Sequence, residues 1–173
     1  MQYSQDQIVK MMIKSTESVI KILEKAQNWV QENNKNENEI LQSRLAEDMF
    51  PLIKQVQIIS DNLKGTISRL SLTETPKMED VETTLSQLIQ RLEKTVEFAQ
   101  SIAVENLSKS ENQKIILPFM PTKYLETREY LFSFAIPNLY FHISMVYAIL
   151  RHIGVPLVKM DFIGGLEMHD LEN

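Results

Sequence analysis

The sequence predicts an all-α domain, a four-helix bundle, and three observations predict it. Glycine occurs four times in 173 residues, and three of these, Gly154, Gly164 and Gly165, fall in the last stretch of the chain. Apolar residues recur at the three- and four-residue spacing of a helix face in four long blocks. Polar stretches separate the blocks, and amphipathic helices of this length bury their stripes against one another. A chain of this size normally makes one domain. Residues 1–173 are therefore read as a single helical domain, with 165–173 a frayed tail.

The first helix is expected from Gln5 to Glu32, with Ile8, Met12, Val19, Leu23, Ala26 and Val30 facing inward. The run 31–39 is too hydrophilic to pack and reads as a loop. The second block carries Leu45, Met49, Leu52, Val56, Ile59, Leu63, Ile67 and Leu70. Pro51 is unsuited to a helix interior, because it lacks an N–H and its ring clashes with the preceding turn. A start at Asp48 as N-cap leaves Pro51 in the first turn, where donors are unpaired anyway. Residues 40–47 then form a separate turn or short helix. After a loop at 71–78, Glu79, Asp80 and Glu82 supply negative charge to the start of a third helix, as its dipole favours. Val81, Leu85, Leu88, Leu92, Val96 and Ala99 form its stripe.

Residues 106–113 read as a polar loop. Residues 114–119 and 122–125 then read as two short extended pieces around Pro118 and Pro121, a small hairpin. The fourth helix is expected over 127–153, kinked or broken at Pro137. Gly154 suits its left-handed terminus and Pro156 prevents continuation. The remainder is read as an extended tail packed on the bundle.

Composition narrows the function classes. Hydrophobic residues at 43% and charged residues at 24% are ordinary for a globular protein. A net charge of −5 argues against nucleic acid as a partner, since phosphate contacts need a concentrated basic surface. With no cysteine, disulfides, thiolate nucleophiles and cysteine-bound zinc are excluded. The polar N-terminus lacks a signal-peptide pattern, and no uninterrupted apolar run reaches bilayer length. A cytoplasmic protein with no membrane partner is the expectation.

Chemistry concentrates on the fourth helix. Asn138 and His142 are spaced i, i+4 and share the face that carries Leu131, Ala135, Met145 and Ile149. Such a pair is either a structural hydrogen-bond node, with Asn138 capping the segment after Pro137, or the remnant of a binding site. His152 lies about 80° further round the helix, near its C-terminus, where a cation is favoured. His169 is expected exposed in the tail. No His-x-x-x-His, His-Glu-x-x-His or paired Glu-x-x-His occurs, and Glu167-Met-His169 has the wrong spacing. There is no glycine-rich phosphate loop and no Gly-x-Ser-x-Gly. The acids at Glu47-Asp48 and Glu79-Asp80-Glu82 are read as helix starts, and the nine methionines as core filling. Phe132, Phe134, Tyr140, Phe141, Tyr147 and Phe162 could serve a core, a pocket or a dimer interface.

The segment His142-Ile-Ser-Met-Val-Tyr-Ala-Ile-Leu-Arg-His-Ile-Gly-Val-Pro156 resembles the last core helix of the DinB/YfiT-like superfamily, four-helix bundles associated with metalloenzyme activity. The chain is similar in particular to one uncharacterised branch. The matching pieces are Asp48-Met-Phe-Pro-Leu-Ile-Lys-Gln-Val-Gln57, Glu82-Thr-Thr-Leu-Ser-Gln-Leu88, Pro137-Asn-Leu-Tyr-Phe-His142, Arg151-His-Ile-Gly-Val-Pro156 and Asp161-Phe-Ile-Gly164. The resemblance spans 41–164 and implies the bundle fold. It also implies a metal triad of one histidine on the second helix and two at i, i+4 on the last. His142 falls at the final histidine and Asn138 at the one before it. The second helix has no histidine, and Gln55 is its nearest polar core candidate. On that pattern at most one of the three ligands, His142, survives, and an imidazole with two amides is a poor site for zinc or nickel. The resulting expectation is a degenerate metal site, with Gln55, Asn138 and His142 at the base of a pocket for a small molecule or partner, a homodimer included. The alternative is a metal-dependent enzyme of the thiol S-transferase type using His142.

Overall fold

The computed structural model describes residues 4–111, 113–166 and 170. Helix α1, Gln5–Glu32, is as long as its apolar repeat, and all six predicted inward residues are buried. The polar run after it is only partly a loop. Asn36 accepts from the Asn38 N–H and caps a short helix α2, Glu37–Gln42, with Glu37 and Glu39 in its first turn.

Helix α3, Leu52–Ser71, starts later than Asp48. Pro51 itself is the N-cap, and its carbonyl accepts from the N–H groups of Lys54 and Gln55. Proline suits this place because its missing N–H lies outside the ladder while its C=O opens it. Leu45 and Met49 consequently fall in turns before the helix, and Leu45 is exposed. Leu52, Val56, Ile59, Leu63, Ile67 and Leu70 are fully buried.

The chain after α3 doubles back. Lys64 donates to the Pro76 carbonyl (3.2 Å), and Lys54 pairs with Asp80 (2.6 Å), so residues 72–84 retrace α3 toward its start. Helix α4, Leu85–Ser101, therefore begins beside the beginning of α3 and runs parallel to it. Ser60 meets Thr95 (2.7 Å), and the Ser110 N–H beyond α4 reaches the Leu70 carbonyl at the end of α3 (3.1 Å). Glu79, Asp80 and Glu82 belong to this crossover and not to the first turn of α4, which is capped by Thr84. Val81, expected in the stripe, is exposed for the same reason.

A two-residue hairpin follows, with β1 Lys114–Ile115 antiparallel to β2 Leu125–Glu126. Helix α5, Thr127–Glu129, a π-helical segment, Tyr130–Ala135, and helix α6, Ile136–His152, then form one continuous helix. The chain stays helical through Pro137. The irregularity is taken up one turn earlier as a π segment, whose wider ring relieves the clash a proline makes with the preceding turn. This continuous helix is long and apolar enough to cross a membrane by length and composition, contrary to the count of uninterrupted apolar runs. Its inner face, including Leu139, Ile143, Val146 and Leu150, is buried in the bundle.

Contacts fix the helix directions as up, down, down, up. Gln55, Asn62 and Thr66 of α3 meet His142, the Ala135 carbonyl and Tyr130 in reverse order, so α3 and α6 are antiparallel. Ser15 of α1 meets Tyr140 (2.9 Å), and Trp29 approaches Gly154, so α1 and α6 are parallel. Gly154 (φ +105°) closes α6 in the left-handed region. The tail is not merely extended: a short helix α7, Lys159–Ile163, is tied to α1 by Lys25–Asp161 (2.6 Å) and packs Phe162 edge-on against Tyr147. The expected fraying of 165–173 and the exposure of His169 fall almost wholly outside the described residues.

Candidate functional site

Positions 55, 62 and 66 lie on one face of α3, and the antiparallel packing sets them against 142, 135 and 130 as three polar rungs in an apolar seam. The rung nearest the start of α3 pairs Gln55 Oε1 with His142 Nδ1 at 2.6 Å. Gln55 Nε2 donates in turn to the Phe50 carbonyl at 3.0 Å. That second bond orients the amide, because only its NH2 can donate to a carbonyl. Oε1 therefore faces the ring, Nδ1 carries the proton, and Nε2 keeps its lone pair. Burial lowers the pKa of His142, whose residue is 6% exposed, so the neutral ring is favoured. Phe141 stands edge-on to the imidazole, with ring centroids 5.1 Å apart. Among the described residues Nε2 has no hydrogen-bond partner.

The structure thus brings together Gln55 and His142 from opposite sides of the seam. Asn138 sits one turn before His142, half-buried, and bonds to neither. His152 is exposed in the last turn of α6.

Comparison with known families and structures assigns the chain. A domain of unknown function, DUF1993, matches residues 5–163. The chain belongs to the DUF1993 family. The crystal structure of a DinB family member from Shewanella denitrificans is 34% identical, with a TM-score of 0.86, over 97% of this chain and 93% of that one. No curated protein matches. This DUF1993 chain is accordingly a DinB-like helical bundle of an uncharacterised branch.

The donor chemistry of the DUF1993 chain fits the superfamily's metal triad poorly. Both polar atoms of Gln55 are engaged, Oε1 by the imidazole and Nε2 by Phe50. Among the described residues His142 Nε2 and the Asn138 amide have no hydrogen-bond partner, and neutral amides are weak ligands for zinc or nickel. Among the described residues no three His, Asp or Glu side chains converge on one point that could hold a metal ion.

Sequence reasoning missed a second polar centre, around Arg91. Its side chain is 3% exposed, and the guanidinium bonds Glu82 (2.8 Å), Asp80 (3.0 Å), Asp61 (3.1 Å) and the Glu79 carbonyl (3.0 Å). Burial alone would raise the Glu82 carboxyl, but Arg91 and the Gln57 amide override it and hold the pKa low. For Asp80, burial is likewise outweighed by Lys54 and Arg91. The available signal was Arg91 itself, a charge one residue from Leu92 on the apolar face of α4. Asn62 and Thr66 were missed as well; their spacing from Gln55 was the clue. A separate open cleft of about 460 Å³ lies between the start of α1 and the 3-10 turn Val104–Ser108, lined by Asp6, Leu107 and Glu111, and does not include His142.

Proposed function

We propose that this DUF1993 chain is a binding protein built on a degenerate metal site, in which Gln55 holds the imidazole and Asn138 and His142 face a small ligand and not a resident metal ion. One observation carries the reading: Gln55, on the helix where the superfamily pattern expects a histidine ligand, spends its oxygen on His142 Nδ1. There it orients the imidazole, and a neutral amide oxygen is in any case a weak ligand for zinc or nickel. The acidic, cysteine-free composition accords with a cytoplasmic setting. Exposed Phe119, Met120 and Tyr124 of the hairpin offer an apolar face for self-association, which light scattering on the eluting protein would reveal as a mass of twice the monomer.

The deciding experiment is elemental analysis of the purified full chain and of His142→Ala. Substoichiometric zinc and nickel in both proteins is the expected result. Full occupancy abolished by His142→Ala would overturn the reading. It would instead favour the second reading, a metal-dependent enzyme of the thiol S-transferase type. That alternative has its own supporting observation, because an imidazole whose Nδ1–H is held by an oxygen acceptor is oriented as metal-bound and general-base histidines are.

A further inference from the structure

The long helices do not present the same kind of outer face. Helix α1 exposes Lys10, Lys14, Lys21 and Glu24, and α4 exposes Glu93, Lys94 and Glu97, as helices of a solvated bundle do. The continuous helix that ends in α6 carries no Asp, Glu, Lys or Arg from Tyr130 to Leu150. Only 39% of its most apolar stretch is buried within the fold. Pro137, Phe141, Ser144, Met145 and Ala148 fall on its outward side, away from Leu139, Ile143, Val146 and Leu150. Phe141 is 52% exposed in the middle of that side. A helix that is apolar all round belongs in an interior, yet among the described residues this side stays open.

The charges at the two ends of the stripe fit a second copy of the chain. Glu126, Arg128 and Glu129 are exposed at its start, two acids against one base, and Arg151 and His152 are exposed at its end. An antiparallel copy sets each end against its opposite, whereas a parallel copy sets like against like. The midpoint between Glu129 and Arg151 is position 140, so the antiparallel pairing brings the two Phe141 rings together beside the two-fold axis. We infer that the chain forms a homodimer in which the outward faces of α6 pack antiparallel, Phe141 against Phe141. A lipid surface is a poorer match, because the chain carries a net charge of −5 and the stripe lacks the lysine-rich flanks of interfacial helices. From Glu129 to Arg151 the helix is about 33 Å long and about 10 Å across, so the stripe offers about 300 Å² per copy. A standard interface takes about 800 Å² per partner. The face continues onto the hairpin, where Phe119, 64% exposed, packs on Phe134 with ring centroids 5.6 Å apart. An interface of that extent gives a concentration-dependent dimer, not an obligate one. Asn138 lies about 100° round the helix from Pro137, on the side that His142 turns to Gln55, so that pair sits at the rim of the dimer face. The inference rests on the reading of the chain as self-associating, and gives it a face and an axis.

The chain has no cysteine, which makes the geometry directly testable. Phe141→Cys in the full chain places one thiol per copy beside the axis, where facing helix backbones come within disulfide reach. Oxidation with copper(II) phenanthroline should link it into dimers about tenfold faster or more than Glu97→Cys, an exposed position on α4. Sedimentation velocity of the full chain from about 1 to about 100 µM should show a monomer–dimer equilibrium. Phe141→Arg should weaken that equilibrium about tenfold or more with helicity unchanged by circular dichroism, and Phe119→Arg should weaken it less. Equal cross-linking at positions 141 and 97 would overturn the inference. A dimer that ignores Phe141→Arg would overturn the α6 face; if Phe119→Arg breaks it, self-association through the hairpin stands. A chain still monomeric at about 100 µM would overturn both readings. Monomers that bind phosphatidylcholine vesicles, and lose that binding on Phe141→Arg, would overturn the second copy as occupant.

Discussion

Arg91→Met tests whether the crossover is held by charge. Methionine keeps most of the stem volume and removes the guanidinium of a side chain that is 3% exposed. The partners left behind are unequal. Asp61 and Asp80 are 48% and 38% exposed, can rehydrate, and keep Lys64 and Lys54 beside them. The Glu82 side chain is 9% exposed and keeps the Gln57 amide at 2.9 Å and its own backbone N–H. Removing one partner of a buried pair costs about 3–5 kcal/mol. With two of three acids able to resolvate, about 3 kcal/mol is expected. The Arg91 Nε, which has no partner among the described residues, adds nothing to that loss. For a chain of this length the change corresponds to a melting-temperature drop of about 6–12 °C. Urea unfolding would measure the energy. Trypsin cleavage after exposed Lys77 would report local release of residues 72–84 before global unfolding. Adding Glu82→Gln should recover part of the loss, since it neutralises the stranded charge. A loss below about 1 kcal/mol with Lys77 still protected would refute the argument.

Three further outcomes follow from the same geometry. Because burial depresses the His142 pKa in the folded chain, the unfolded chain takes up the proton first. The contribution is intact above the unfolded pKa of about 6.5. It is lost as pH falls through that value, at up to about 1.4 kcal/mol per pH unit, until the folded ring protonates. His142→Leu should flatten this dependence in urea titrations between about pH 8 and 5, and an unchanged slope would count against it. Gln55→Leu strands His142 Nδ1–H and the Phe50 carbonyl, with an expected loss of about 1–3 kcal/mol by chemical denaturation; a neutral effect would mean that water replaces the amide. Gly164→Ala places a Cβ against the Ser18 hydroxyl at a positive φ, so α7 should detach from α1, seen as faster amide exchange over Lys159–Ile163 with a global loss of only about 1–2 kcal/mol.

What could be read in advance was local in origin. The limits of α1 and the buried faces of α1, α3 and α4 follow from a 3.6-residue repeat that each helix carries in its own residues. His142 was legible because a histidine on an apolar stripe is conspicuous. Pro51 illustrates the edge of this legibility. Its rules permit it within the first turn or at the cap, and neighbouring contacts chose the cap. The acids at 79–82 misled for a related reason. The dipole argument is local, whereas Arg91, which claims them, lies on another element.

The sequence by itself determined the all-α class, the main helices and their inward faces, because periodicity and capping act within a few residues. Only the tertiary structure decided that the third main helix runs parallel to the second, and that Gln55 rather than Asn138 holds His142. Both outcomes depend on pairings between residues far apart in the chain, 87 positions in the case of Gln55 and His142. Helix periodicity places a side chain on a face, but the partner waiting there is set by how the helices are turned and stacked.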